Sequence, residues 1–531
     1  MTAQVLVATA VGDRFLVRVR GTEVRALVAK RRPTAAALRM LPGRERQATD
    51  EATFPIKVDD LLPRSLAHTT LDLYCDQGGR ETRLSFPAGL RNEVISFDGI
   101  DLFPFRTAYG NLSLSLFRTD RRPPLRVTIL VHQLNFSGGK TTFAFQLASV
   151  LRSVGFDVTI AALWLTSTPM TYQPPADVKL TYVDSQMLQD PGEPPLSLKM
   201  PDFSASDRTI AKIRAYFSGI DADVLYVPDY DSPLYDLVLD SLPPRILSIL
   251  GDHNPGRYGA TLAAGSLPVA QPRNRLFYEA MQRFDAIHTL NPVVLDAYRS
   301  STPQPVFCIA NSVDTGSGHS AQFLQHRRIV AAGRLVAGKN FHVLIRAFSG
   351  LRTQYPEWRL DIYGQGEERE ALLTLIRDLR LDDVVTLSEP TPTLLDEMRS
   401  SSFHVSASAA EAFPLTMAEA MSVGLPVISH HRNAGAAYQL ADGRGIIAGS
   451  TSVESLAEAM ATLMRQIEAG DPDGTVRDMV ALGMEFMRTI SSRNPHFWQS
   501  QIVQLYDAKI EHLYARGVTS ELVEHAAPKT R

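Results

Sequence analysis

The strongest constraint on this chain is a rhythm that begins at Arg126 and is written twice. RVTILVHQL is an unbroken apolar run, as expected of a strand covered on both faces. FSGGK follows as a turn, TTFAFQLASVLRSVG reads as a helix, and DVTIAAL as the next strand, which together make a βαβ unit. Further strand-like runs lie at VLYVP (224–228), RILSILGDH (245–253) and DAIHTLN (285–291). VFCIANSVDTGSGHSAQ (306–322) ends in a Gly/Ser-rich stretch suited to a hinge, and the series then starts afresh. RRIVAAGRL, RLDIYGQG, VVTLSE, FHVSAS and PVISH alternate with helical segments, among them FHVLIRAFSGLRTQ and VESLAEAMATLMRQIEAG. Two such series imply two doubly wound α/β domains with a cleft between them, and ligands in such folds sit at the carboxyl ends of the strands.

A chain of 531 residues is too long for one hydrophobic core, in keeping with this division. The first 120 residues have a different texture: QVLVATA, RFLVRVRG, TTLDLYCD and LSLSLFR alternate apolar with polar residues and are punctuated by turns. They predict a small antiparallel sandwich or barrel without a catalytic constellation of its own. The expected domains are therefore 1–120, 126–312 and 323–490, with RTDRRPPLR (118–126) as a linker and PGEPPLSLKMPD (191–202) as a surface loop. An amphipathic helix over 494–517 is expected to pack back on the first α/β domain.

Composition narrows the function. A net charge of −3 gives no reason to expect a nucleic-acid partner. Cys75 and Cys308 stand far apart, outside any CxxC or Cys/His cluster, which favours a reducing cytoplasm. The N-terminus lacks the features of a signal peptide, and no apolar run reaches the roughly 20 residues of a membrane-spanning helix. A soluble cytoplasmic protein is expected, with peripheral contact at the inner face of a membrane still open. Residues 1–50 lean basic through Arg14, Arg18, Arg20, Arg25, Lys30, Arg31, Arg32, Arg39, Arg44 and Arg46. That reads either as a solvated surface or as a patch for an anionic polymer or lipid.

The sharpest chemical signal is EAFPLTMAE (411–419). Glu411 and Glu419 flank a turn and a helix start, because Pro414 suits a first helical turn and TMAEAM is strongly helix-forming. Such a start offers free N–H groups and a positive dipole end to a diphosphate, through the segment containing Phe413, Leu415 and Thr416. Glu419, one turn in, could accept hydrogen bonds from ribose hydroxyls. The plainer reading is a helix whose glutamates favour its N-terminus. Arg334 and Lys339, in AAGRLVAGKN, follow the first strand of the second series, where two cations could share a diphosphate or simply be solvated. Gly138 and Gly139 follow the first strand of the first series and would let the main chain approach a ligand. They do not form a nucleotide-hydrolysing P-loop, since position 134 is leucine where that motif requires glycine. His253 closes an apolar strand at its carboxyl end, and Asp252 beside it could orient an acceptor; His288, His430 and His431 carry less. No spacing matches a metal site, so neither a metal nor any other cofactor is expected.

In combination, GRLVAGKN (333–340), LDIYGQGEE (360–368), VSASAAEAFPLTMAEAMSVGLPVI (405–428) and LADGRGIIA (440–448) resemble the family-4 retaining glycosyltransferases of the GT-B fold. SGGK, GDH, FDAIHTLN and NSVD (311–314) extend the resemblance more loosely to the first series, so that it covers about 126–515. The resemblance implies two Rossmann-like domains facing a cleft, a nucleoside-diphosphate sugar as co-substrate, and transfer with retention and no required metal. It implies Glu411 against the donor sugar, Glu419 on the ribose, Arg334 and Lys339 on the phosphates, His253 near the sugar, and Gly138 and Gly139 near the reaction centre. The leaving phosphate is then implied to help deprotonate the acceptor. Two departures stand out. SGGKTT differs from the small or acidic residues that commonly follow the diglycine, and the β-rich N-terminal region is not standard for the family. FPFRTAYGNLSLSLFR (103–118) is similar to accessory-domain sequence in teichoic-acid enzymes, which points to a saccharide or envelope-polymer acceptor and to residues 1–120 as a place for homo-oligomerisation. The competing reading is a catalytically degenerate carbohydrate- or nucleotide-binding module acting as a scaffold through those residues.

Overall fold

A computed structural model describes residues 4–11, 14–20, 24–32, 37–40, 51–57, 68–77, 79–84, 95–97, 100–106, 111–118, 125–134, 139–164, 173–184, 207–230, 234–253, 272–313, 322–430 and 434–515. The chain divides into two compact units. One comprises Met1–Leu125, Ser153–Asp157 and Ser492–Arg531; the other comprises Arg126–Arg152 and Val158–Ser491.

The first unit holds β1 (Gln4–Val11), β2 (Arg14–Arg20), β3 (Val24–Arg32), β4 (Ala37–Met40) and β5 (Glu51–Lys57). β6 (His68–Gln77), β7 (Arg80–Arg83), β8 (Ile95–Phe97), β9 (Ile100–Arg106) and β10 (Leu112–Arg118) follow. They form an antiparallel sheet ordered β1-β2-β5 and a second ordered β4-β3-β6-β10-β9-β8, with β7 on β6. Alternation decides what goes inside. Val17, Val19, Phe54 and Ile56 of one sheet share a single core with Leu27, Leu71, Leu73, Leu102 and Leu114 of the other. On the opposite face of β6, Asp72 accepts from Ser113 Oγ at 2.6 Å, and Lys30 lies 4.6 Å from the centre of the Tyr74 ring. Of the two architectures the sequence predicts here, the structure is the sandwich.

The second unit contains two parallel sheets. The first is built from β11 (Arg126–Gln133), β12 (Asp157–Trp164), β13 (Lys179–Asp184), β14 (Val224–Val227), β15 (Leu247–Asp252), β16 (Ala286–Thr289) and β17 (Val306–Cys308). Its helices are α1 (Gly139–Ser153), α2 (Asp207–Ser218), α3 (Leu234–Ser241), α4 (Pro272–Met281) and α5 (Leu295–Arg299). The second sheet uses β18 (Arg328–Ala332), β19 (Arg359–Tyr363), β20 (Val385–Ser388), β21 (Phe403–Val405), β22 (Val427–His430) and β23 (Ile446–Ala448). With it go α6 (Phe341–Leu351), α7 (Arg369–Asp378), α8 (Leu394–Arg399), α9 (Leu415–Ser422), α10 (Ala434–Leu440) and α11 (Val453–Glu468), while α12 (Thr475–Ala515) begins in this unit and belongs from Ser492 on to the first. The helix expected over 494–517 is the later part of α12, which already begins at Thr475 and carries Pro495 inside it. Gln499 of that part donates to the carbonyl of Val154 at 3.2 Å.

Both sheets reverse direction in the same way. The first runs β13-β12-β11-β14-β15-β16-β17 and the second β20-β19-β18-β21-β22-β23. In each, the chain lays strands outward from its first strand and then jumps back to the other side of it. That leaves a crevice at the carboxyl ends of β11 and β14, and another at those of β18 and β21. Among the described residues, fully buried Asn291, just beyond β16, donates Nδ2 to the carbonyl of Ala434 in the second α/β domain at 3.1 Å.

Candidate active site

In the second α/β domain the crevice is lined by the loops after β18 and β21, and each is held by backbone hydrogen bonds. After β18 the chain turns at Gly333, whose φ of 154° is open to glycine. Gly333 N–H donates to Tyr363 O at 3.0 Å, and Leu335 N–H to Gln365 O at 2.9 Å. A Cβ at Gly364 would collide with the carbonyl of Gly333, and one at Gly366 with that of Leu335, so the GQG segment is the close-packed backing of the Arg334 loop. A 3₁₀ turn over Ala337–Lys339 leads through Asn340, in the left-handed region, into α6. The two crevice loops are then stitched together, Ala409 N–H donating to Gly338 O at 2.9 Å.

This stitching brings two side chains into contact. Lys339 Nζ forms an ion pair with Glu411 Oε1, with both side chains only partly exposed. Arg334 is exposed and forms no ion pair among the described residues. The Glu411 carbonyl is fixed from behind by Gly435 N–H at 2.9 Å. A Cβ at Gly435 would meet Pro414 Cδ at 2.6 Å and the Ala412 carbonyl at 2.9 Å. Gln439 also donates to Pro414 O at 3.2 Å. The start of α10 therefore braces the loop that carries Glu411, and it is the same start that Asn291 reaches from the first domain.

Pro414 is the residue just before α9, with φ −62° and ψ 111°, and Leu415 and Thr416 are the first helical residues. Their N–H groups precede the first intrahelical acceptor and need partners from outside the helix. Both side chains are half-buried, whereas Phe413 is buried, its ring 6.4 Å from that of Tyr438. Met417, Ala418, Ala420 and Met421 anchor α9 in the core. Glu419 sits among them one turn into the helix, and burial pushes its carboxyl up to about 7.

In the first α/β domain, Gly138 lies outside the described residues and Gly139 is the first residue of α1. One turn later Phe143 packs edge-on against His253, ring centres 4.1 Å apart, so the start of α1 and the end of β15 share one place. His253 hydrogen-bonds Tyr226 at 3.1 Å, and Tyr226 also bonds His288 at 2.8 Å. Asp252 is fully buried and accepts a hydrogen bond from Tyr298. Sequence reasoning passed over Tyr226, Asn291 and Gly435 and set His288 low. Tyr226 and His288 sit inside runs that read simply as core strands, and only their three-dimensional pairing with His253 marks them. Among the described residues, no group of three or more His, Cys, Asp or Glu could hold a metal ion.

Residues 319–469 match the family model described as glycosyl transferases group 1. S. aureus TarM, in a structure with Fondaparinux, alpha-GlcNAc-glycerol and UDP, covers 72% of this chain and 99% of its own at 13% identity and a TM-score of 0.56. The chain has a GT-B fold. The Arg334 and Lys339 loop, Glu411 and Glu419 lie within the stretch that is similar to the group 1 glycosyl transferases. The exopolysaccharide phosphotransferase of Streptomyces coelicolor is 30% identical over 257 residues, 46% of this chain. The poly(glycerol-phosphate) alpha-glucosyltransferase of Bacillus subtilis is 32% identical over 139 residues, 26% of this chain. These matches span 25% and 21% of the two relatives' own lengths.

Proposed function

We propose that this chain is a retaining glycosyltransferase that moves a sugar from a nucleoside-diphosphate sugar to a saccharide or envelope-polymer acceptor, without a required metal. The observation that carries the reading is the meeting of Lys339 and Glu411 at the strand-order reversal of the second α/β domain. A cation, an exposed guanidinium and the first N–H groups of α9 are what a diphosphate needs, and the developing charge on a departing diphosphate needs them more. In this reading Arg334 and Lys339 hold the phosphates, and Lys339 exchanges its carboxylate partner for a phosphate oxygen. Glu411 is thereby released to the donor sugar. Glu419 accepts from the ribose hydroxyls, and the main chain at Leu415 and Thr416 completes the donor site. His253 and the Gly138–Gly139 turn serve the sugar and acceptor from the first α/β domain.

The acceptor class rests on the printed names of two relatives, one concerned with exopolysaccharide and one with poly(glycerol-phosphate). We place the protein in the cytoplasm, working at the inner face of the membrane; no helix among the described residues is long and apolar enough to cross one. The β sandwich is assigned homo-oligomerisation or polymer contact.

A thermal-shift screen against UDP, GDP, ADP, CDP and their common sugar conjugates tests the donor site. UDP comes first because the TarM structure contains it. At a ligand concentration about 100 times its dissociation constant, linkage adds about 2.7 kcal/mol to the native state, a clear rise in melting temperature. No rise with any nucleotide would turn the reading to a degenerate binding module.

A further inference from the structure

The main chain of Glu411 is held by one peptide unit, and that unit is gripped at its other edge by a side chain of the first α/β domain. Gly435 is the second residue of α10, where an N–H has no acceptor inside the helix, and it donates to the Glu411 carbonyl at 2.9 Å. The same peptide plane carries the Ala434 carbonyl, which accepts from Asn291 Nδ2 at 3.1 Å. In a trans peptide these two groups point in opposite directions, so Asn291 and Glu411 stand on opposite sides of one rigid plane. The Asn291 amide has a single orientation, because its Oδ1 accepts from Val293 N–H at 2.9 Å and only Nδ2 can face a carbonyl. α10 passes the constraint on as a block. Gln439 donates to the Pro414 carbonyl at 3.2 Å, so the helix holds the Glu411 loop at two carbonyls. Its own last carbonyls, those of Tyr438 and Gln439, accept from Arg444 at 2.9 and 2.8 Å. The fit leaves no slack: a Cβ at Gly435 would stand 2.9 Å from the Ala412 carbonyl oxygen.

We propose that Asn291 is a positioning residue: through the Ala434–Gly435 peptide it sets the main chain of Glu411 in register with the first α/β domain. Asn291 lies just beyond β16, which pairs with β15, the strand that His253 follows. The register it imposes is therefore between that strand end and Glu411. The Lys339 ion pair acts on the Glu411 side chain alone, and in the proposed function it is exchanged for a phosphate oxygen. At that moment the main-chain tether is what keeps the carboxylate placed. Arg334 and Lys339 lie on the loop after β18, away from this peptide, so nucleotide binding does not depend on the tether. The catalytic consequence rests on Glu411 serving the donor sugar, as under the proposed function; the tether itself does not.

Asn291→Asp tests the tether in the full-length protein, since a carboxylate keeps the cap on Val293 and replaces the donor facing Ala434 by an acceptor. The transfer assay uses the nucleotide sugar that gives the largest thermal shift. At pH 8, kcat is expected to fall about tenfold or more, while nucleoside-diphosphate affinity by calorimetry stays within about threefold of the wild type. Burial favours the protonated acid, whose O–H can donate to Ala434 again. The ratio of variant to wild-type kcat is therefore expected to rise several-fold from pH 8 to about pH 6, and taking the ratio cancels titrations that both proteins share. A kcat near that of the wild type at pH 8, or a loss of affinity equal to the loss of kcat, would overturn the proposal. Hydrogen exchange on the wild type decides even where the variant folds poorly. The Gly435 amide is expected to be protected, and exchange as fast as that of an unstructured amide would overturn the proposal. Protection that Asn291→Asp releases, in a protein with no transfer activity, would sink the glycosyltransferase reading and leave the tether standing.

Discussion

The two α/β domains share one strand order and solve opposite problems at the place where that order reverses. In the second domain the crevice loops carry charge: Lys339 against Glu411, exposed Arg334, and Glu419 one turn into α9. In the first domain the end of β15 carries the His253 imidazole, hydrogen-bonded to Tyr226, which also bonds His288, and wedged by Phe143. In the proposed reading the same scaffold offers one surface to a charged ligand half and one to hydroxyls. Fold dictates where the crevices lie, and the loop residues dictate what each can take.

The comparison breaks most readily at Glu411. If the charged domain performs the chemistry, Glu411→Gln should lower transfer by about 100-fold or more while the melting temperature stays near that of the wild type. The amide keeps the shape and loses the charge. Near-normal turnover would remove Glu411 from the reaction and shift attention to the His253 side.

The next effect concerns the two cations. Losing a hydrogen bond to a charged group costs about 1.5–3 kcal/mol, roughly 10- to 100-fold in a dissociation constant. Calorimetry should show a loss of that size in nucleoside-diphosphate affinity for Arg334→Ala, because nothing among the described residues pairs with that guanidinium. Lys339→Ala should lose less, since Lys339 must first give up Glu411. Equal losses would mean that the ion pair costs the ligand nothing, and an unchanged Arg334→Ala would take that residue out of the phosphate site.

How much of this was legible differs between the domains for a physical reason. Arg334, Lys339, Glu411 and Glu419 lie on loops and a helix start that follow strands directly in sequence, so local spacing carries them to the crevice. The strand–helix alternation likewise made both sheets readable, because strands buried on both faces are continuous apolar runs. Tyr226 and His288 lie 27 and 35 residues from His253, each inside a strand whose sequence speaks only of burial. Gly435 was silent for a similar reason: its need for glycine comes from Pro414 and Ala412, reached across the fold. Asn291 caps a short 3₁₀ turn, its Oδ1 accepting from Val293 N–H at 2.9 Å, while its other arm crosses to Ala434. Polar partners brought together by topology leave no periodic trace.

The smallest effect sharpens the comparison, because it titrates only the charged domain. Burial raises the Glu419 carboxyl from 4.5 to about 7, so near neutrality the group is divided between acid and carboxylate. The sign for stability follows from proton counts: between 4.5 and about 7 the unfolded chain gives up this proton while the native chain keeps it, so this contribution to stability falls as pH rises through that window. Binding runs the other way. Ribose hydroxyls donate best to the carboxylate, so affinity should climb as pH passes 7 and level off above it. With one pKa near 7, the carboxylate fraction goes from about one tenth at pH 6 to about nine tenths at pH 8, and affinity should rise by up to about tenfold. The ligand should be a nucleotide sugar, since a terminal phosphate with a second pKa of about 6 would titrate in the same range. Glu419→Gln should bind more weakly at pH 8 and lose the pH dependence. A slope that survives in Glu419→Gln would assign the titration to another group and leave Glu419 as a half-buried structural carboxyl.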